Sequence, residues 1–293
     1  MTRIQRLIAF GDIVGESAVW CVRTGRLLWV DIVGRRIQAF TPASGEHQTW
    51  ATPDLVTSIG LRKDFGAVVG LRRTVAMWNY TEQFVTLAAV ETEIPGNRLN
   101  EGKVGPDGAF WVGTMQNNID ADGQPAPMTR SSGAYYRVCP SGVVEALTDR
   151  TYGICNTMLW ADDGRFLCAD TLANKLYAFD RSKDSITARR DFGQPFAAGL
   201  PDGSALDSEG YVWNCRVGGG CLVRFAPDGR VDRVVELPCR APTSCAFGGD
   251  ELRTLLVTSA RFGLPKELQE DPDQGAVYAL DVGVGGRPEH LFG

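Results

Sequence analysis

Histidine is nearly missing from this chain: His47 and His290 are the only two in 293 residues. A histidine-ligated metal centre is therefore poorly supported. So is a Ser-His-Asp hydrolase, because neither histidine lies near a nucleophile-elbow pattern. The eight cysteines include no Cys-x-x-Cys pair, which argues against a zinc finger and leaves them as small buried hydrophobes. No apolar run approaches the ~20 residues needed to span a bilayer. The start, Met1-Thr2-Arg3-Ile4-Gln5-Arg6, lacks the apolar stretch of a secretory signal. Free thiols without such a signal predict a reducing, cytoplasmic setting. Positive charge is not in excess either: Lys+Arg 30 against Asp+Glu 35 leaves a net charge of -5. That argues against nucleic acid or an anionic membrane as partner. A sustained 3.6-residue apolar stripe is also missing, so helices are expected to be few and short. One helical turn is expected at Lys266 to Glu270.

What the chain does have is many short apolar runs. Leu27 to Ile32, Ala67 to Leu71, Phe110 to Val112, Tyr135 to Val138, Leu176 to Phe179, Tyr211 to Trp213, Leu222 to Phe225 and Leu255 to Val257 are separated by Gly, Asp, Pro and Ser clusters. β-branched and aromatic runs closed by turn residues predict strands. With 44% hydrophobic and 9% aromatic residues there is ample core material.

The informative feature is an internal repeat. Pro201-Asp202-Gly203 is only a turn signal when seen alone. It recurs in kind, however. Ser58, Asn100, Asn156 and Asp202 each lie eight positions before a turn glycine, and Glu16 lies nine before Gly25. A weaker unit begins at Thr243-Ser244. The units start near residues 16, 58, 100, 156, 202 and 243, which is the spacing of propeller blades. The expected fold is all-β: a single six-bladed β-propeller domain over 1–293, with four-stranded blades around a central channel. The long third interval holds an inserted loop, Asn117 to Ser132. The N-terminal strand, Gln5 to Phe10, is expected to complete the last blade beside Ala276 to Leu280 and so remove two open sheet edges.

In a propeller the first strand of each blade lines the axis. The repeated polar residues would then ring one mouth of the channel, or else remain six solvated strand starts that never converge. Converging carboxylates and an amide carbonyl, without histidine or thiol, suit an oxygen-ligated divalent cation. Without a cation two facing carboxylates repel, and one must hold a proton.

Five segments carry a resemblance across nearly the whole chain: Gly15-Glu16-Ser17-Ala18-Val19-Trp20, Leu28-Trp29-Val30-Asp31-Ile32, Asn97-Arg98-Leu99-Asn100-Glu101-Gly102-Lys103-Val104, Trp111-Val112-Gly113-Thr114-Met115 and Pro201-Asp202-Gly203-Ser204. In this order the chain resembles the senescence-marker-protein/gluconolactonase (regucalcin-like) family, and within it the bacterial sugar-lactone lactonases. The resemblance implies a six-bladed propeller and one divalent cation (Ca, Zn, Mn, Mg or Fe) held by Glu16, Asn156 and Asp202. It also implies contacts from Arg98 and Asn100 to a small-molecule sugar lactone. Asn118 falls where some relatives carry a substrate-touching Glu. Gln116, Asn117 and Asn118 are either amide donors to hydroxyls or a polar loop. Two further departures are Glu101, where Asp is usual, and Thr157, where Gly is usual. The implied activity is metal-dependent hydrolysis of an aldonolactone, with Asp202 also placed to take a proton from water. The alternative is a non-catalytic calcium-binding or protein-binding propeller.

Overall fold

The computed structural model describes residues 2–182 and 185–293. Its sheets are six, each of four antiparallel strands, and together they form a six-bladed β-propeller. The innermost strands are Gly15–Cys21, Val56–Leu61, Asn97–Val104, Cys155–Trp160, Leu200–Leu206 and Pro242–Gly248, opening blades 1 to 6 in chain order. The second and third strands of each blade carry the apolar runs, because they are covered by neighbouring blades on both faces. Leu28, Trp29 and Val30 in blade 1 and Phe110, Trp111 and Val112 in blade 3 are wholly buried. The outermost strands, such as Glu46–Ala51 and Ile186–Phe192, face water and are polar.

Blade 6 is built from both ends of the chain. Arg3–Ile8 pairs antiparallel with Val277–Asp281. The closure is the expected one, with the N-terminal strand starting two residues earlier than the pattern suggested. The helical turn falls at Lys266–Gln269. A short 3-10 turn at Asp250–Leu252 was not anticipated. The inserted segment lies between the second and third strands of blade 3, Phe110–Gln116 and Tyr135–Val138. It reaches across the same face to blade 1, where Ile119 is buried in the core with Val33 packed against it.

Every inner strand carries a register break. The interruptions fall between Glu16 and Val19, Val56 and Ser58, Leu99 and Gly102, Asn156 and Met158, Pro201 and Ser204, and Pro242 and Cys245. Pro201-Asp202-Gly203 is thus part of a bulged strand and not a turn. A bulge frees one or two residues from the ladder and re-aims their side chains. Here the freed groups tie one blade to the next. The Ser17 hydroxyl accepts from the Ile59 N–H at 3.0 Å, and the Ser244 hydroxyl accepts from the Ala18 N–H at 3.2 Å. The Thr243 hydroxyl donates to the Gly15 carbonyl.

The last residues cross the opposite mouth of the channel. Gly286 pairs with Asp207 of blade 5, and Arg287 forms a bidentate ion pair with Asp162 in blade 4. Phe292 is buried in the blade 2–3 core, its N–H donating to Leu61 O at 2.8 Å. All eight cysteines are free, and all but Cys139 are buried. No helix among the described residues is long and apolar enough to cross a membrane.

Candidate functional site

The bulges bring the repeated polar residues to one mouth of the channel. Glu16 comes from blade 1, Asn100 from blade 3, Asn156 from blade 4 and Asp202 from blade 5, and all four are buried. Each stands at or beside its bulge. Two of the bulges place the following residue in the left-handed region: Ser17 at φ 53 and Thr157 at φ 52. That conformation is costly for a non-glycine residue, most of all for a β-branched one. It turns the backbone so that successive side chains, Glu16 and Ser17 or Asn156 and Thr157, serve the axis and the neighbouring blade respectively.

Thr157, a departure from the glycine usual in the resembled family, uses its hydroxyl for that second task. The hydroxyl donates to the Asp202 carbonyl and lies 2.8 Å from the Ser204 hydroxyl. Thr157→Gly is expected to relieve about 1 kcal/mol of backbone strain and to lose hydrogen bonds of similar worth. Stability measured by urea unfolding should therefore stay nearly level. The same change should lower turnover about three- to tenfold, because the strand carrying Asp202 loses its tether. A variant with wild-type turnover would show that the tether has no part in positioning Asp202.

Glu16 and Asp202 are neighbouring buried carboxyls, and each acts on the ionisation of the other. Both are pushed well above the usual carboxylate range, first by burial and then by neighbouring negative charge, Asp202 and Glu101 acting on Glu16 and Glu101 on Asp202. Among the described residues the only backbone donor to the Glu16 carboxyl is the Ser17 N–H, at 2.9 Å to Oε2. The Asp202 Oδ1 is buried with no hydrogen-bond partner among the described residues.

Asn156 is held on both sides. Its Nδ2 donates to the Thr171 hydroxyl at 2.9 Å, and that hydroxyl donates to Pro201 O at 2.7 Å. Its Oδ1 accepts from Asn100 Nδ2 at 2.9 Å, which leaves a second lone pair free. Asn100 Oδ1 accepts from Arg98 Nη1 at 2.8 Å, and Arg98 Nη2 donates to Asn118 Oδ1 at 3.0 Å. A continuous chain thus links Asn118, Arg98, Asn100 and Asn156. Arg98 also closes the circle electrostatically, because the charges of Glu16 and Asp202 act on its guanidinium. Burial lowers Arg98 to about 10, still charged at neutral pH. Its Nε is buried without a partner.

The donor chemistry fits a hard divalent cation. Among the described residues no three His, Cys, Asp or Glu side chains form a metal-binding group. The available set is two carboxylates and an amide oxygen, one carboxylate oxygen being buried and unpartnered. Such an oxygen inside a protein calls for a cation, a proton or water. Cys155, next to Asn156, is pushed well above the normal thiol range by burial, which makes it unreactive.

Three contributors were missed in the sequence. Thr171 orients Asn156. The Tyr135 hydroxyl lies 2.8 Å from the Asn156 carbonyl oxygen and 2.7 Å from that of Ala169. Glu101, noted only as a departure, is buried with both carboxylate oxygens unpartnered, and burial raises it to about 7. Its position directly after Asn100 at a bulge was the available signal. Thr171 and Tyr135 lie on other strands, and no local pattern marks them.

Residues 14–261 match the family described as SMP-30/Gluconolactonase/LRE-like region. The chain is 35% identical over 287 residues to a regucalcin of Gallus gallus, covering 95% of this chain and 94% of the other. It is 33% identical over 287 residues to a 6-deoxy-6-sulfogluconolactonase of Pseudomonas putida, covering 96% and 95%. Among solved structures it is similar to a luciferin-regenerating enzyme, with a TM-score of 0.90, 25% identity and coverage of 100% and 99%. It is also similar to a calcium-binding protein, regucalcin, of Agrobacterium tumefaciens, with a TM-score of 0.89, 27% identity and coverage of 98% and 96%.

Proposed function

Because this chain belongs to the SMP-30/gluconolactonase/LRE-like family, we propose that it is a metal-dependent lactonase that opens a sugar lactone to the free aldonic acid. The observation that carries this reading is the Glu16–Asp202 pair: two buried carboxyls facing one another, with Asp202 Oδ1 unpartnered. They lie beside an arginine–amide chain suited to hydroxyls. Glu16, Asn156 and Asp202 would hold one divalent cation. When bound, it supplies Lewis-acid polarisation of the lactone carbonyl.

The chain's own residues supply the rest. Arg98 Nε and the amides of Asn100 and Asn118 offer donors and acceptors to the ring hydroxyls, fixing the lactone at the mouth. Asp202 accepts a proton from the attacking water as its oxygen bonds to the carbonyl carbon. The proton then passes to the ring oxygen as the acyl C–O bond breaks, which yields a hydroxy acid. Burial of the mouth keeps these interactions strong by excluding bulk water.

Arg98→Met is expected to raise KM for the lactone at least about tenfold, with a smaller effect on kcat, because it removes a charged donor fork from binding. Steady-state kinetics check this, and an unchanged KM would remove Arg98 from substrate binding. The function itself is tested by a pH-stat assay against pentono- and hexonolactones, repeated after chelation and with Ca, Zn, Mn, Mg or Fe restored. Acid release that disappears on chelation and returns with metal supports the lactonase. Metal binding without hydrolysis of any lactone would favour the non-catalytic reading, which the calcium-binding relative keeps in view.

A further inference from the structure

A second cleft, of about 240 Å³, lies at the opposite mouth of the channel, between the C-terminal crossing and the ends of the blade 4 and blade 5 inner strands. Leu206 lines it, four residues along the strand from Asp202. At about 3.3 Å per residue that places it roughly 13 Å from the carboxylate pair. Its walls are apolar and partly aromatic: Met158, Trp160, Leu206, Phe247 and His290. Trp160 and His290 meet edge-to-face, with ring centroids 5.9 Å apart.

The polar groups facing this cleft are mostly donors. On two of the lining residues, Trp160 Nε1 and Arg181 Nε are buried without a hydrogen-bond partner among the described residues. Such donors, left dry, are destabilising, and a ligand acceptor relieves that cost. The formal charges do not balance either. Arg287 is matched by Asp162 in a bidentate pair. Lys103 is matched by Glu289 at 4.0 Å and donates to Ser204 O at 3.0 Å. Among the described residues Arg181 is left without an ion pair at this cleft. Burial lowers His290, which is therefore neutral at pH 7. One surplus cation, two unused donors and flat apolar walls specify a small ligand with one negative charge, acceptor oxygens and a planar body.

We propose that this cleft is a binding site for a small aromatic carboxylate, separate from the lactone mouth. The carboxylate oxygens take the Arg181 and Trp160 donors, and the ring packs between Trp160, His290 and Phe247. Lys103 lines the cleft and donates to Ser204 O, two residues beyond Asp202 on the blade 5 strand.

The test uses the full chain and 4-fluorobenzoate, observed by fluorine NMR titration, with 4-fluorobenzamide as the neutral isostere. Saturable binding of the benzoate is expected, with the amide at least about tenfold weaker, since a charged hydrogen-bonded contact is worth that much. Arg181→Met should weaken the benzoate at least about tenfold. Trp160→Phe, which keeps the ring and removes only the N–H, should weaken it about three- to tenfold while keeping the fold. Asp202→Asn should bind as the wild type does. Absence of saturation, equal binding of amide and benzoate, indifference to both cleft variants, or loss of binding in Asp202→Asn would each overturn the proposal. None of these outcomes depends on whether the protein hydrolyses lactones.

Discussion

Asp202→Asn is expected to lower kcat/KM for lactone hydrolysis by at least about a thousandfold while leaving the propeller folded. The change removes the proposed ligand charge and the proposed proton acceptor together, and loss of a positioned base alone is worth about 10²- to 10⁴-fold. The effect on stability should run the other way. In the metal-free chain Asp202 is a buried carboxyl beside Glu16, with Oδ1 unpartnered. An amide of the same shape removes the ionisation problem without opening a cavity. The metal-free variant should therefore gain about 1–3 kcal/mol at pH 8, read as a higher urea midpoint. Near wild-type hydrolysis in Asp202→Asn would remove Asp202 from the chemistry. A large loss of stability would show that its carboxylate is already satisfied in the metal-free protein.

The second large effect is on the pH dependence of the metal-free chain. Glu101 is raised to about 7, and so is Asp12, a buried carboxylate that accepts from Trp29 Nε1 and pairs with Arg36, both first by burial; Glu16 and Asp202 are also raised well above the ordinary carboxylate range. A carboxyl whose folded pKa exceeds its unfolded one binds its proton more tightly in the folded state. Folding is thus favoured while these groups stay protonated, and stability is lost as pH rises from the unfolded value, ~4, through about 7 for Glu101 and Asp12. For Glu101 alone this amounts to on the order of 3 kcal/mol. The two histidines, lowered by burial, act in the opposite sense, but only up to about their ordinary pKa of 6.5. With chelator present, the thermal midpoint should fall between pH 6.5 and pH 8. A saturating divalent cation should restore most of the loss, with a larger gain at pH 8 than at pH 5.5. Glu101→Gln should flatten the decline. A midpoint that rises through this window in the metal-free protein, or a cation effect independent of pH, would contradict the assignment.

Much of the architecture was legible because the repeat is written in turn glycines and polar strand starts. The apolar runs read as strands are mainly the second and third strands of each blade, where burial on two faces demands Leu, Val, Trp and Phe. Two other classes of strand were much harder to see. Inner strands such as Asn97–Val104 carry Asn, Arg, Glu and Lys, because their side chains serve the channel. Outer strands such as Val231–Glu236 carry charge, because they face water. The candidate site was approached through residue spacing and family resemblance. The bulges explain why the spacing works: they recur in every inner strand, so one polar residue per unit is released toward the axis. Thr171 and Tyr135 could not be read in this way, since they act through contacts between strands that are remote from the repeated position.

The two-ended build of blade 6 has a consequence for the neighbouring blade 1. Arg3–Ile8 is held by one strand and faces solvent, so it is the first seam to breathe. Blade 6 supplies none of Glu16, Asn156 or Asp202, yet its Thr243 and Ser244 hydroxyls fasten the backbone on either side of Glu16. Opening at the chain's own zipper is therefore felt at Glu16 in blade 1, and through Cys245 and Trp213 in blade 5, before it reaches blade 4. The residence time of the proposed cation at the mouth would then depend on how firmly the first few residues of the protein are fastened to its last strand.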